Sequence, residues 1–153
     1  MRWLLKRLYP LQRALWRRLR PRTRGVKVML FNARGELVLI RNSYGRSDLF
    51  LLPGGGVRPF ETPEAAARRE IREELGIDIE EVTLRSTHLS VSEGKRDTVF
   101  LYEAVTAQSL RPDGVEIEEA RFFPPDDPPP LASPATLRRL AEYRGIAQAD
   151  GRW

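Results

Sequence analysis

Residues 55–77 read GGVRPFETPEAAARREIREELGI, and the stretch from Thr62 to Gly76 within it carries the strongest helix signals in the chain. Thr62 suits the N-cap, where its hydroxyl accepts from an orphan amide, and Pro63 suits the first helical position, where its missing N–H costs nothing. The interior is alanine-rich, and Gly76 stands where a left-handed residue closes a helix. Ala67, Ile71 and Leu75 recur every four residues and form the expected buried face. Glu70, Glu73 and Glu74 gather over another face, because residues three and four apart on a helix are neighbours. At about 6 Å and an effective dielectric of about 20, each such pair repels by roughly 3 kcal/mol before screening. Arg69 lies one turn from Glu73 and Arg68 one turn from Glu64, but no base lies one turn from Glu70 or Glu74 within the helix. Their counter-charge has to come from elsewhere in the fold or from solution.

The chain has no cysteine and one histidine, His88, which excludes disulfides, thiolate metal sites, cysteine nucleophiles and multi-histidine zinc sites, and leaves a Ser-His relay without support. An all-oxygen carboxylate cluster suits a hard divalent cation, Mg²⁺ or Mn²⁺. Magnesium binds through one or two carboxylates plus substrate phosphates, so the expected substrate carries phosphate. A solvated, charged helix face explains the helix alone equally well. The preceding Pro53-Gly54-Gly55-Gly56 favours the metal reading, because a side-chain-free backbone can approach a ligand closely. Glu61, just ahead of the helix, either caps its dipole or joins the metal shell.

Outward from this segment the chain reads as one α+β domain, which its 153 residues accommodate. Residues 26–31 and 36–41 read as a hairpin turning at Asn32-Ala33-Arg34-Gly35, and the apolar run 49–52 leads into the glycine loop. Strands are expected at 82–91 and 98–105, separated by Ser92-Glu93-Gly94-Lys95, with a shorter one at 120–123. The proline-rich stretch 124–134 reads as an ordered connector to a second helix that starts at Ser133-Pro134 and stops at Gly145. No window approaches 18 uncharged apolar residues and none resembles a signal peptide, so a cytoplasmic protein is expected, peripheral at a membrane if the N-terminal arm binds one.

The net charge of +5 is unevenly spread: residues 1–27 hold ten Lys/Arg and no acid, while the remaining sixteen bases face all twenty-one acids. Leu4, Leu8, Leu11, Leu15 and Leu19 give the arm one apolar helix face, interrupted at Pro10. The expected layout is an amphipathic basic arm or helix over 1–23, a domain over 24–146 and a C-terminal tail over 147–153. The arm has three readings: packing on the body, lying on an anionic membrane with Trp3 and Trp16 at the interface, or tracking RNA phosphates through residues 1–27. An exchanged or packed arm would also make a homodimer.

Residues 55–77 resemble the Nudix box, GX5EX7REUXEEXGU with U aliphatic, at every specified position: Gly55, Glu61, Arg69, Glu70, Ile71, Glu73, Glu74, Gly76 and Ile77. The flanks are similar too, in Phe50-Leu51-Leu52-Pro53-Gly54-Gly55 and in Glu119-Ala120-Arg121-Phe122-Phe123. The resemblance covers about residues 24–145 and leaves the arm outside. It implies a mixed sheet sandwiched between helices (α/β/α) and hydrolysis of a nucleoside diphosphate linked to a further group. It implies Glu70 and Glu74 as metal ligands, with Glu73 sharing the metal shell or accepting a proton from water. Arg69 would orient the glutamates, Gly54 offer its carbonyl to the metal, and Glu61 and Gly55 support the shell. An additional glutamate beyond the box is expected among Glu116, Glu118 and Glu119, with Glu116 the first choice.

Other residues have a functional and a plain reading. Arg41, Tyr44 and Arg46 would contact base or phosphate, or form a solvated loop. Lys95 and Arg96 would read a terminal phosphate or serve solubility, and His88 reads better as a hydrogen-bonded sheet histidine than as a base. Two alternatives stand beside a nucleotide pyrophosphohydrolase: an RNA 5′-end pyrophosphohydrolase, and a non-catalytic nucleotide-binding sensor on the same fold.

Overall fold

A computed structural model describes residues 22–45, 48–92 and 95–153; the leucine-faced arm, Arg46 and the tip of the 92–95 turn fall on or beside residues outside these. Six strands form one mixed sheet: β1 (Arg22–Phe31), β2 (Leu37–Asn42), β3 (Phe50–Leu51), β4 (Thr83–Ser92), β5 (Lys95–Val105) and β6 (Ile117–Phe123). The strand order is β3-β2-β1-β5-β4, with β6 also pairing β2. Among the described residues two helices accompany it, α1 (Pro63–Leu75) and α2 (Pro134–Tyr143).

The expected turn between β1 and β2 forms. Asn32 Oδ1 accepts from the amides of Arg34 (2.9 Å) and Glu36 (3.0 Å), and Gly35 takes a φ of 74° that its lack of Cβ permits. The hairpin itself is short. Only Phe31 and Leu37 pair across it, after which β2 runs antiparallel to β6 and β1 runs parallel to β5 over all ten of its residues. Residues 53–57 fill the gap left on the free side of β1: Val26 N donates to Gly55 O (2.9 Å), Val28 N to Pro53 O (3.0 Å) and Val57 N to Arg24 O (2.9 Å). The glycine loop is thus hydrogen-bonded to the central strand of the sheet.

Alternation along the strands splits the core in two. Val26, Val28, Leu30, Val38 and Ile40 face Ala66, Ala67, Ile71 and Leu75 of α1. Met29, Phe31, Leu37 and Leu39 face the other way, toward Leu140 of α2. This is the expected α/β/α sandwich. Both helices begin at the expected caps, Thr62 Oγ1 accepting from Ala65 N and Ser133 Oγ from Thr136 N, and Gly76 closes α1 at φ 66°. The proline-rich connector is ordered against β3, with Phe50 N donating to Leu131 O (2.8 Å) and Ser133 N to Phe50 O (2.9 Å).

The last residues also join the sheet. Leu89 N of β4 donates to Gly151 O (2.8 Å), and Trp153 N donates back to Leu89 O (3.0 Å). Beneath them Arg139, fully buried, donates to Arg152 O (2.8 Å), to Glu142 Oε1 (2.7 Å) and to His88 Nδ1 (2.9 Å). A guanidinium only donates, so Nδ1 accepts and Nε2–H of His88 donates to Ser86 Oγ at 2.7 Å. His88 is therefore a satisfied sheet histidine. Burial, with Arg139 beside it, lowers its pKa and keeps it neutral.

Candidate active site

The packing of α1 on β1 and the pairing of the glycine loop with β1 bring three pieces together: the acidic turn of α1, the backbone of Gly54 and Gly55, and the side chain of Lys27. Glu74 is buried and its Oε2 accepts from Gly54 N at 2.9 Å. Gly54 has a φ of 137°, and a Cβ there would lie 2.1 Å from Val26 O. Gly55 is tight for a different reason, since a Cβ on it would lie 2.6–2.8 Å from the Glu70 carboxylate. Gly54 and Gly55 both line an open cleft of about 1580 Å³; Glu70 and Glu74 are not themselves in its wall but lie against the glycine loop that is.

Arg69 organises the remaining carboxylates. Its Nε and Nη2 grip Glu61 as a fork (2.8 and 2.9 Å), its Nη1 reaches Glu70 (2.7 Å) and Glu73 (3.3 Å), and Nη2 also donates to Gly56 O (2.8 Å). This fork, aided by Arg58 N at 2.9 Å, holds the Glu61 carboxyl down at about 2, and the same acids raise the pKa of Arg69. Glu70 therefore finds its counter-charge on its own chain neighbour, whose long side chain folds back across the helix face. Glu74 finds its counter-charge on β1. Lys27 Nζ donates to Leu52 O (2.9 Å) and Gly54 O (3.4 Å), and its charge partly offsets the burial that lifts Glu74 to about 8. Glu70 and Glu116 add to that lift.

Of the candidate extra acids, Glu116 lies within electrostatic reach of Glu70 and Glu73 on the helix. Burial first, then Asp113, Glu70 and Glu73, raise its pKa. Its backbone is pinned by Asp113 Oδ1, which accepts from Val115, Glu116 and Ile117 amides at 3.0, 3.0 and 2.9 Å, and by Ser43 N donating to Glu116 O at 2.9 Å. Glu119 instead pairs with Arg41 (3.0 Å) and Arg121 (2.9 Å) on the β2–β6 ladder. Arg41, expected at base or phosphate, has its guanidinium paired with Glu119 and lies 6.0 Å from the Phe50 ring centroid. Tyr44 does line the cleft, and burial together with Glu116, Glu74 and Glu70 pushes its hydroxyl up to about 12. Arg46 lies outside the described residues.

Two site residues escape a reading of the sequence. Lys27 counts there as one more base of the arm, although its place between Val26 and Val28 in an apolar strand marks it. Arg58 pairs with Glu73 at 3.3 Å and has no local signal. Among the described residues no three His, Cys, Asp or Glu side chains converge tightly enough to grip an ion as they stand. The carboxylates are held instead by Arg69 and by the Gly54 amide.

Gly55→Ala probes this arrangement. The new methyl meets the free end of a side chain rather than backbone. The expected result is a fold that survives, with stability within about 1 kcal/mol of the wild type, and a turnover reduced roughly 10- to 100-fold as Glu70 is displaced. Circular dichroism and a turnover assay read the two effects.

Residues 21–143 match the NUDIX domain family. An uncharacterized Nudix hydrolase of Pseudomonas aeruginosa is 33% identical over 107 residues, which cover 67% of this chain and 63% of that protein. An NAD-capped RNA hydrolase, NudC, of Pseudomonas syringae is 27% identical over 134 residues, 88% of this chain and 48% of that one. The chain spans about half the length of the curated relatives it matches. Among solved structures, a MutT NUDIX hydrolase from Burkholderia pseudomallei superposes with a TM-score of 0.69 at 29% identity, covering 78% of this chain and 95% of that one. The match spans the glycine loop, the carboxylate helix and the sheet that positions them, and the chain belongs to the Nudix family.

Proposed function

We propose that the chain hydrolyses a diphosphate linkage in a nucleoside diphosphate joined to a further group, with Mg²⁺ or Mn²⁺ as cofactor. The observation that carries this reading is the contact of Glu70 and Glu74 with the backbone of a cleft-lining glycine loop. Nudix hydrolases generally need a divalent metal ion. The residues here fit one: the donors are all oxygen, and Glu74 sits buried with Glu70 and Glu116 disfavouring its charge. Glu70, Glu74 and Glu73 would hold the cation, with the Gly54 carbonyl beside them. Bound there, a cation supplies charge neutralisation at the phosphoryl oxygens and acidifies a water.

The chain's own residues do the rest. Arg69 donates hydrogen bonds to Glu61, Glu70 and Glu73 together, so that the carboxylates are oriented before substrate arrives. Lys27 and the Gly54 amide stabilise the charged form of Glu74. Glu116, its proton affinity raised by burial and then by Asp113, Glu70 and Glu73, would accept a proton from the attacking water. Tyr44 supplies part of the cleft wall for the nucleotide.

A panel of nucleoside triphosphates, nucleotide sugars, dinucleoside polyphosphates, dinucleotide cofactors and capped or triphosphorylated RNA, each with Mg²⁺ and with Mn²⁺, tests the reading. Turnover of at least one compound, abolished by chelation, is the expected result. Tight binding without turnover throughout would replace it with the nucleotide-sensor reading. The RNA-directed alternative has one specific observation in its favour: Arg22, Arg24, Arg58 and Arg138 line the same cleft, a basic path suited to several phosphates.

A further inference from the structure

The turn that carries Glu61 contains an unexplained residue. Arg58-Pro59-Phe60-Glu61 closes on itself, Glu61 N donating to Arg58 O at 3.2 Å. Pro59 fixes the second position near the usual proline φ, and Phe60 in the third has a φ of 62°. That is the geometry of a type II turn, whose third position favours Gly or Asn because a Cβ is strained there. Phe60 is the one non-glycine residue with positive φ among the described residues. Its side chain is also fully exposed, at 106%, and belongs to neither core cluster. An aromatic ring in water on a strained backbone contributes nothing to folding.

Its position is next to the chemistry. Arg58 and Pro59 line the cleft, and Glu61, the following residue, is clamped by Arg69 and by Arg58 N. The exposed ring is therefore carried on a turn whose first two residues, Arg58 and Pro59, line a cleft that Arg22, Arg24 and Lys27 also line, while Phe60 itself stands outside that lining. The cleft, at about 1580 Å³, exceeds the roughly 300–1000 Å³ of an ordinary small-molecule site. Flat apolar rings beside cations are how proteins hold nucleobases next to phosphates.

We infer that Phe60 is a stacking platform for a nucleobase carried on the group beyond the scissile diphosphate. This rests on the diphosphate-cleaving reading above and narrows it to substrates with a base on the far side of the linkage. Two sources share that chemistry, a free dinucleoside polyphosphate or dinucleotide cofactor, and the dinucleotide-capped 5′ end of an RNA.

The full chain, wild type and Phe60→Asn, is assayed with diadenosine tetraphosphate, NAD, an RNA decamer capped at its 5′ end by a dinucleotide and ATP. Asn tolerates the left-handed backbone, so Tm is expected to be no lower than wild type. The kcat/KM preference for the better two-base substrate over ATP is expected to fall roughly tenfold, through KM, as loss of one stacked base would give. Phe60→Trp is expected to restore it. A fall confined to the RNA identifies RNA as the source, and one confined to the dinucleotides identifies those. An unchanged preference, a loss of kcat with KM unmoved, or a drop in Tm with Asn overturns the stacking role while leaving the hydrolase reading intact. Absence of wild-type turnover on all four compounds overturns the stacking role, since no two-base substrate is then cleaved, while the hydrolase reading falls only if the wider panel fails as well.

Discussion

Glu74→Gln is expected to lower turnover by more than the roughly 10- to 100-fold that loss of an outer metal partner costs, and to change how the metal-free protein responds to pH. The amide oxygen of Gln can still accept from Gly54 N, so the loop geometry is kept. What disappears is a charge. In the wild type the buried carboxyl titrates at about 8 in the folded state, against about 4.5 when unfolded. Between those values the folded protein holds a proton that the unfolded chain has lost. Stability from this group is complete below pH 4.5 and is lost as pH rises through 8. Metal-free wild type should therefore melt progressively lower from pH 5 to pH 8.5, and the Gln variant should show a flatter profile. Adding Mg²⁺ or Mn²⁺ should recover the wild-type Tm most at the alkaline end, because a cation adds to the partial counter-charge that Lys27 provides, and should do little for the variant. A Tm series at five pH values, with and without metal, reads all of this. Parallel profiles for the two proteins would remove Glu74 as the group responsible.

Gly54→Ala is expected to damage the fold itself, unlike Gly55→Ala. The new Cβ would meet backbone, Val26 O at 2.1 Å and Val26 C at 2.9 Å, on a residue whose φ of 137° strains any side chain. The added strain and overpacking together come to about 3–5 kcal/mol, a large share of the 5–15 kcal/mol that typically holds a domain together. The loop can relieve the clash only by leaving β1, which breaks Val26 N to Gly55 O and Val28 N to Pro53 O and withdraws the Gly54 amide from Glu74. Urea unfolding should show a midpoint far below wild type, and any folded fraction should lack turnover. A midpoint close to wild type would mean that the loop does not depend on this contact.

What could be read from the amino acids was whatever is encoded locally. The caps of α1, the Asn32-to-Gly35 turn and the start of α2 at Ser133 each rest on residues within four positions of one another, and each formed as expected. What could not be read depends on pairing across the chain. β1 begins at Arg22 rather than at residue 26 because β5 offers a partner to every residue from Arg96 onward, whatever the side chains are. β6 likewise starts at Ile117, where β2 supplies Asn42. The site divides in the same way. The helix carboxylates and Arg69 are spaced within one motif. Lys27 arrives from β1, Arg58 reaches fifteen residues ahead to Glu73, and Arg41 pairs with Glu119 across the β2–β6 ladder.

The pairing of residues 151–153 with Leu89 also bears on solubility. β4 is the last strand of its side of the sheet, and an uncovered edge strand is a template for strands of other molecules. Leu89 and Val91 are exposed on it, so the edge is sticky as well as open. Gly151 and Trp153 occupy the main-chain groups of Leu89, and Arg139 holds Arg152 from beneath. A fusion, a nick or a substitution that lifts this short segment would leave the carboxylate helix untouched. The damage would show as self-association of folded molecules and lost material at high concentration, while the specific activity of what stayed in solution was preserved.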